Sequence, residues 1–231
     1  MARIPDKAVV LGAAAAGGLV TPLFLGLTFG LGALKPGFSH LGSPMSILGG
    51  ETGWRGLAFN GGITVTGLLV LAFALGLKRR LPAGWLPRAG SALLAGGGVG
   101  LLGVGLFHCD PGCRNVLVEP DWVGQVHILA ALLAGTGCGV GPVFLWPALR
   151  RSPAWRDLAP LTLTLAILAN LAGLTFWVSL LAGHRLHSVE GLAERLGLVL
   201  IFLWMARMAA RLGRMASRAA KSGAPPRAPT P

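Results

Sequence analysis

The sequence predicts an all-α, polytopic membrane protein: a bundle of six transmembrane helices with both termini in the cytoplasm. Its mean hydropathy is +0.68, and 53% of the residues are apolar while 12% are charged. These values lie outside the range of soluble domains of this size. Six long apolar stretches divide the chain, and the basic residues are concentrated in alternate connections between them. That alternation is the pattern by which membrane proteins set their orientation.

Each apolar stretch has the length of a membrane-spanning helix. At 1.5 Å per residue, about 20 residues cross a hydrocarbon core of ~30 Å. The stretches predict helices over about residues 9–34, 57–77, 89–107, 123–146, 159–182 and 189–206. Four arginines then recur at helical spacing up to Arg218, so we expect the sixth helix to extend to about that residue. Residues 1–218 would form one transmembrane domain, and the Pro- and Ala-rich residues 219–231 a disordered cytoplasmic tail.

The charges predict the orientation. Fifteen of the 20 lysines and arginines lie at the N-terminus, after the second and fourth helices, or after the sixth, whereas six of the eight acids lie in the other connections. This predicts a protein of the cell membrane with both termini on the cytoplasmic side. The net charge of +12 then indicates contact with anionic lipid headgroups and no nucleic-acid partner. Tryptophans at the helix ends are typical of an aromatic belt: Trp54 and Trp122 outside, and Trp85, Trp146, Trp155 and Trp204 inside.

Glycine is abundant, and much of it lies within the predicted spans. Four pairs have the GxxxG spacing that allows helices to approach closely: Gly26 and Gly30, Gly96 and Gly100, Gly135 and Gly139, and Gly137 and Gly141. Gly98, Gly100 and Gly103 also match the GxGxxG dinucleotide fingerprint. That fingerprint needs a preceding strand and a solvated helix N-terminus. Here it lies inside a span, so no nucleotide or other cofactor is predicted.

The histidines all map to outer loops or outer helix ends: His40, His108, His127, His184 and His187. A metal site would need a tighter set of ligands than the single His184-x-x-His187 pair. A haem site would need facing axial histidines, whereas only His127 is predicted to lie in a helix. We therefore expect solvated or hydrogen-bonded histidines, and we assign no metal ligands.

Cys109 and Cys113 flank a Pro-Gly turn in the loop after the third helix. Such a turn can bring two sulfur atoms together, and the outer side of a bacterial membrane is usually oxidising. A disulfide is the favoured interpretation, and a metal pair is the alternative. Cys138 lies in the fourth span, where it is expected to pack as a small apolar residue.

Several short motifs lie near the helix ends: the run Pro44–Gly49, Trp54, Phe59-Asn60, Gly105-Leu106-Phe107-x-x-Asp110, Gly124–His127, Gly191–Arg195 and Trp204. In their order and positions, over about residues 40–208, they resemble the DUF998 family of prokaryotic membrane proteins. The resemblance implies about six membrane helices and implies no reaction. The family is distantly similar to the Frag1/DRAM/Sfk1 group, which is linked to lipid and membrane homeostasis, by analogy of fold alone.

The polar residues predict a site on the outer side. Because polar groups at membrane depth are costly unless they are paired or hydrated, we expect one water-accessible pocket formed by five residues at a common level: Asn60, Asp110, His127, Glu194 and Arg195. Arg195 would suit a phosphate or carboxylate, and His127 could transfer a proton.

We expect this pocket to bind a lipid headgroup or small amphiphile, and we assign no catalytic residues. Membrane lipids are the partners that the sequence indicates. Two alternatives stay open. A membrane-embedded hydrolase, with or without a metal, would place a nucleophile or metal among converging acids and histidines. A small-solute transporter would show polar residues at the midplane and broken or repeated helices, for which Asn170, Thr175 and Pro22 are the only hints.

The orientation can be tested with reporter fusions. Because most basic residues lie on one side, a fusion at residue 84 is expected to report the cytoplasm, and fusions near residues 50 and 115 the outside. The measurement is paired alkaline phosphatase and green fluorescent protein activity at each position. Phosphatase activity at residue 84 would overturn the predicted orientation.

Overall fold

The computed structural model describes residues 6–117, 119, 121–183 and 186–221. In this part of the chain six helices are long and apolar enough to cross a membrane, which confirms the predicted all-α fold with six spans. Helix α1 runs over Asp6–Leu25 and continues through a π-helical turn, Gly26–Gly30, into Leu31–Ala33. The others are α2 (Trp54–Lys78), α3 (Trp85–Leu106), α4 (Trp122–Arg151), α5 (Ala159–Leu181) and α6 (Glu190–Lys221).

Several helices extend beyond the apolar stretches that predict them. Helix α4 begins at Trp122 because the Asp121 carboxylate caps it, accepting a hydrogen bond from Gly124 N at 2.7 Å. It ends at Arg151, past the predicted residue 146, and basic residues are favourable in the last turn of a helix. Helix α6 continues to Lys221, into the segment expected to be a disordered tail. Residues 222–231 of that tail lie outside the described residues.

The helices form a ring in chain order, and α6 closes the ring by packing against α1. Aromatic side chains fill its interior. Phe24 and Phe202 meet edge to face with ring centroids 5.0 Å apart, and Phe73 meets Trp204 in the same way at 6.2 Å. The Trp204 indole donates a hydrogen bond to Thr162 Oγ1 at 2.9 Å, so a polar group within the bundle is satisfied.

Two tryptophans depart from the expected aromatic belt. Trp155 and Trp204 are each 1% exposed, so the expectation that they face the interface is wrong. Their indole N–H groups find partners inside the protein, Trp155 at Arg80 O (3.1 Å) and Trp204 at Thr162. Buried tryptophans usually have such partners. Trp54, Trp85 and Trp122, in contrast, are exposed at helix ends as the belt requires.

The two ends of the bundle differ. We call the end that holds Asp6 and Lys221 the basic end; there Asp6 pairs with Arg79 at 3.3 Å and Arg80 at 2.8 Å. At the opposite end, residues 34–53 and 107–117 form a layer that we call the cap. The cap contains short helical turns at Ser46–Gly49, Pro111–Cys113 and Arg114–Leu117. The cavity and the cleft of this protein lie at these two ends.

Helix α3 packs between α2 and α4 through glycines. A Cβ atom added to Gly97 would lie 2.8 Å from Cys138 N on α4, and one added to Gly98 would lie 2.8 Å from Leu71 N on α2. A Cβ on Gly100 would collide with the backbone of Ala134. The GxGxxG match therefore lies on the surfaces where these helices meet, as small residues do in membrane bundles.

Gly100→Ala is expected to destabilise the protein by about 1–3 kcal/mol, because the added methyl group must push α3 and α4 apart. Gly18→Ala is the matched control, since nothing lies within 4 Å of a Cβ at this position. Thermal unfolding in detergent, followed by loss of helical circular dichroism, measures the difference. Equal stability of the two variants would contradict the packing argument.

Candidate functional site

Arg195 joins the cap to helix α6. Its Nη1 atom donates hydrogen bonds to the carbonyl oxygens of His40 (3.2 Å), Ser43 (2.9 Å) and Gly191 (2.6 Å), and its guanidinium lies 5.2 Å from the centroid of the Phe38 ring. Arg195 is 2% exposed, and its Nε and Nη2 atoms have no hydrogen-bond partner among the described residues. Arg195 therefore fixes the first loop of the cap by contacts with its backbone.

His40 packs in the same loop between two aromatic rings, with centroids 5.0 Å from Phe29 and 5.3 Å from Phe38. Burial, and secondarily the positive charge of Arg195, lower the pKa of His40 below its usual value. The neutral imidazole is thus the favoured form at neutral pH, and the cap does not place a second positive charge beside Arg195.

Glu194 also holds the cap, but it faces a cavity. Its Oε2 atom accepts a hydrogen bond from Met45 N at 2.6 Å. The side chain is only partly buried, and it forms part of the cavity wall described below. Met45 N therefore holds one oxygen of the Glu194 carboxylate in place, and Glu194 also forms part of the wall of the cavity.

Asn60 and Asp110 stabilise the cap from its other side. Asn60 Nδ2 donates a hydrogen bond to Gly49 O at 2.9 Å. Asp110 Oδ1 accepts one from Asn115 N, and Asn115 Oδ1 accepts one from Asp110 N, both at 3.0 Å. This reciprocal pair closes the turn after α3. Both residues thus bond to nearby backbone groups of the cap.

His127 lies beside the cysteine pair. The structure joins Cys109 and Cys113, whose Cα atoms are 4.7 Å apart. Nδ1 of the His127 ring is 2.8 Å from Phe107 O, and a carbonyl can only accept, so Nδ1 carries the hydrogen. The other ring nitrogen, Nε2, is 3.8 Å from Cys109 Sγ. Both His127 and Cys113 contribute to the cavity wall.

A cavity of about 310 Å³ extends from the cap into the bundle. Ser46, His127 and Glu194 supply polar groups at its cap end. Most of its wall is apolar, formed by α2, α3, α4, α5 and α6 together with the cap. Asn170 is the deepest polar residue, and its amide nitrogen is already bonded to Gly139 O (2.9 Å) and Ala166 O (2.7 Å). The cavity is therefore polar at one end and apolar along most of its length.

The cavity opens between α4 and α5. Thr136 on α4 and Leu174 on α5 form part of its wall, and both are exposed, Leu174 by 59%. Gly135 and Gly173 flank the same gap, and neither has a side chain to fill it. The opening therefore lies on the side of the bundle that would face lipid rather than on the cap.

The structure places all five predicted site residues at the cap end, but it does not bring all five to one cavity. His127 and Glu194 form part of the cavity wall, whereas Asn60, Asp110 and Arg195 bond to backbone groups of the cap. Of the remaining histidines, His108 Nδ1 lies 3.0 Å from Cys109 O, and His184 lies outside the described residues. Among the described residues, no group of three or more His, Cys, Asp or Glu side chains could hold a metal ion.

Sequence reasoning missed the apolar part of the cavity. The spacing of Gly135 and Gly139 predicts a surface for close helix packing, yet Gly135 borders the open space and Gly139 O accepts the hydrogen bond from Asn170. Trp177 also forms part of the cavity wall. One feature of the sequence could have indicated the cavity. Glycines lie on α4, and another, Gly173, lies on α5, so at these positions neither helix has a side chain to fill the space between them.

Comparison with known proteins identifies the family of this chain. A family model described as "Protein of unknown function (DUF998)" matches residues 11–211, which is most of the chain. No curated protein and no solved structure matches it. The distant similarity to the Frag1/DRAM/Sfk1 group stays a prediction.

The cysteine pairing can be tested by alkylation of the denatured protein. If Cys109 and Cys113 are oxidised to one another, only Cys138 reacts without reductant, and all three cysteines react after reduction. Intact mass counts the added groups. A Cys138→Ala control should then take up no label unless it is reduced. Three labels without reductant would show that the pair is not bridged in the native protein.

Proposed function

The chain belongs to the DUF998 family, and from the geometry of its cap end we propose that this multi-pass membrane protein binds a small single-chain amphiphile. The headgroup would lie at Ser46, His127 and Glu194, and the apolar chain would lie between α4 and α5. The observation that carries this proposal is the cavity, which is polar beneath the cap, apolar below it and open to the side.

The dimensions of the cavity support this class of ligand. Its volume of about 310 Å³ is at the lower end of the range of small-molecule sites. Along α4 it reaches from His127 to Gly139, which corresponds to roughly 18 Å at the rise of an α-helix. That length is about half of a ~30 Å hydrocarbon core, so the occupant would belong to one leaflet. If the basic end is cytoplasmic, this is the outer leaflet.

The lining also limits the chemistry of the headgroup. Among the residues that the structure describes, Glu194 is the only acidic residue in the wall, and no lysine or arginine contributes to it. A carboxylate accepts hydrogen bonds, so it favours a headgroup that carries hydroxyl or amine donors. His127 can present its second ring nitrogen, Nε2, as an acceptor when Nδ1 donates to Phe107 O. We therefore favour a neutral or cationic headgroup over a phosphate at this site.

The proposal can be tested by closing the cavity. In Gly135→Leu the new side chain would start in open space, since the nearest atom to a Cβ there is Trp177 Nε1 at 3.9 Å, and it would occupy the gap between α4 and α5. The probe is a monoacylglycerol with a diazirine in its acyl chain, added to the full chain in lipid nanodiscs. Photolabelled peptides are identified by mass spectrometry.

We expect the wild-type protein to be labelled on α4 and α5 at the cavity wall and Gly135→Leu to lose most of that label. Gly18→Leu is the matched control, because it adds the same side chain to an open position on α1. Unlabelled monoacylglycerol should compete. Equal labelling of Gly135→Leu and Gly18→Leu, or labelling spread evenly over all lipid-facing helices, would overturn the proposal.

A further inference from the structure

A second concave site lies at the basic end, far from the cap. It is a cleft of about 370 Å³ lined by Pro153, Ala154, Arg211, Arg214, Met215 and Arg218. The three arginines recur at intervals of three and four residues, so they share one face of helix α6. The loop between α4 and α5 forms the opposite wall. We call this site the arginine cleft.

Arg211 is held in place on one side of the arginine cleft. Its Nη1 atom donates a hydrogen bond to Ala154 O at 2.7 Å, and Nη2 pairs with the carboxylate of Asp157. These contacts orient the guanidinium and join α6 to the loop that precedes α5. The protein itself thus fixes the position of the Arg211 guanidinium in the wall of the cleft.

Arg214 and Arg218 are exposed, and neither has an ion-pair partner within 4.0 Å among the described residues. Other arginines at this end are engaged: Arg80 pairs with Asp6 at 2.8 Å, and Arg150 stacks over the Trp146 ring at 5.2 Å. Asp157 is the one acidic side chain near these three arginines among the described residues, so the arginine cleft concentrates positive charge that the described part of the chain neutralises only in part. An anion with several oxygen acceptors would satisfy it, because guanidinium groups bind phosphate in a planar, two-pronged geometry.

The level of the arginine cleft identifies the source of the anion. The cleft lies where the apolar part of α6 gives way to arginines and just before the apolar helix α5 begins at Ala159. That is the boundary where lipid headgroups meet the protein. Met215 adds an apolar surface to the wall, which suits the glycerol and upper chain of a lipid more than a free ion.

We infer that the arginine cleft binds the phosphate of an anionic phospholipid, with Arg214 and Arg218 contacting its oxygens and Arg211 completing the site. The inference is independent of the amphiphile site beneath the cap, and either can fail without the other. It also differs from a general attraction of basic residues to the membrane surface, because it assigns the binding to one cleft.

The test compares two variants of the full chain that each lose two positive charges at the same end. Arg214→Gln with Arg218→Gln removes the free cations of the arginine cleft. Arg150→Gln with Arg151→Gln, on the exposed end of α4, is the matched control. Each protein, in a neutral detergent, is titrated with phosphatidylglycerol or phosphatidylcholine, and native mass spectrometry counts the bound lipid. Glycerol 1-phosphate is added as a soluble competitor.

We expect wild-type protein and the control to retain phosphatidylglycerol over phosphatidylcholine, and the cleft variant to bind phosphatidylglycerol roughly tenfold or more weakly. Glycerol 1-phosphate should not displace the lipid. Equal losses in the two variants would show attraction by net charge alone. An unchanged cleft variant, or displacement by glycerol 1-phosphate at concentrations similar to the lipid, would likewise overturn the inference.

Discussion

The hydrocarbon core of a bilayer offers a polar group no hydrogen-bond partner, and this constraint shapes the cap end of the protein. Four of the charged or amide side chains at that level are bonded to protein backbone: Asn60 to Gly49, Asp110 to Asn115, Glu194 to Met45, and Arg195 to the carbonyls of the first loop. A loop that crosses the end of a helix bundle has backbone groups of its own to satisfy. The polar side chains of the helix ends supply those partners, so the same bonds satisfy both the side chains and the loop.

Glycine serves two opposite purposes in the bundle. On α3, Gly97, Gly98 and Gly100 allow the backbones of α2 and α4 to approach, and the helices are in direct contact there. On the other face of α4, a Cβ atom added to Gly135 would meet only the Trp177 indole, at 3.9 Å. A Cβ atom added to Gly173 on α5 would meet nothing within 4 Å. The absence of a side chain therefore produces close packing where a neighbouring helix is near and a cavity where it is not. The spacing of glycines alone does not distinguish these outcomes.

The level of each residue along the membrane could be predicted from the sequence, but the direction it faces could not. Apolar length and charge predicted all six spans, and they placed His127, Glu194 and Arg195 together at one end. Glu194 and Arg195 are adjacent in sequence, yet successive residues on a helix point about 100° apart, and only Glu194 reaches the cavity. Likewise, Trp155 and Trp204 lie at the depth of an aromatic belt but turn inward to hydrogen-bond acceptors. Which face of a helix meets its neighbours depends on the whole packing arrangement, which a single sequence does not reveal.

The two ends of the bundle accommodate the positive charge of their arginines in different ways. At the cap end, carbonyl dipoles of a loop surround Arg195, and the protein covers the guanidinium almost completely. At the basic end, Arg214 and Arg218 remain exposed beside a short loop that has no length to fold over them. Covering a charge with protein fixes a loop in one position, whereas leaving it open allows a membrane component to supply the counter-charge. The long first loop at the cap end thus covers Arg195, whereas the short loop at the basic end leaves Arg214 and Arg218 open to the lipid that we propose for them.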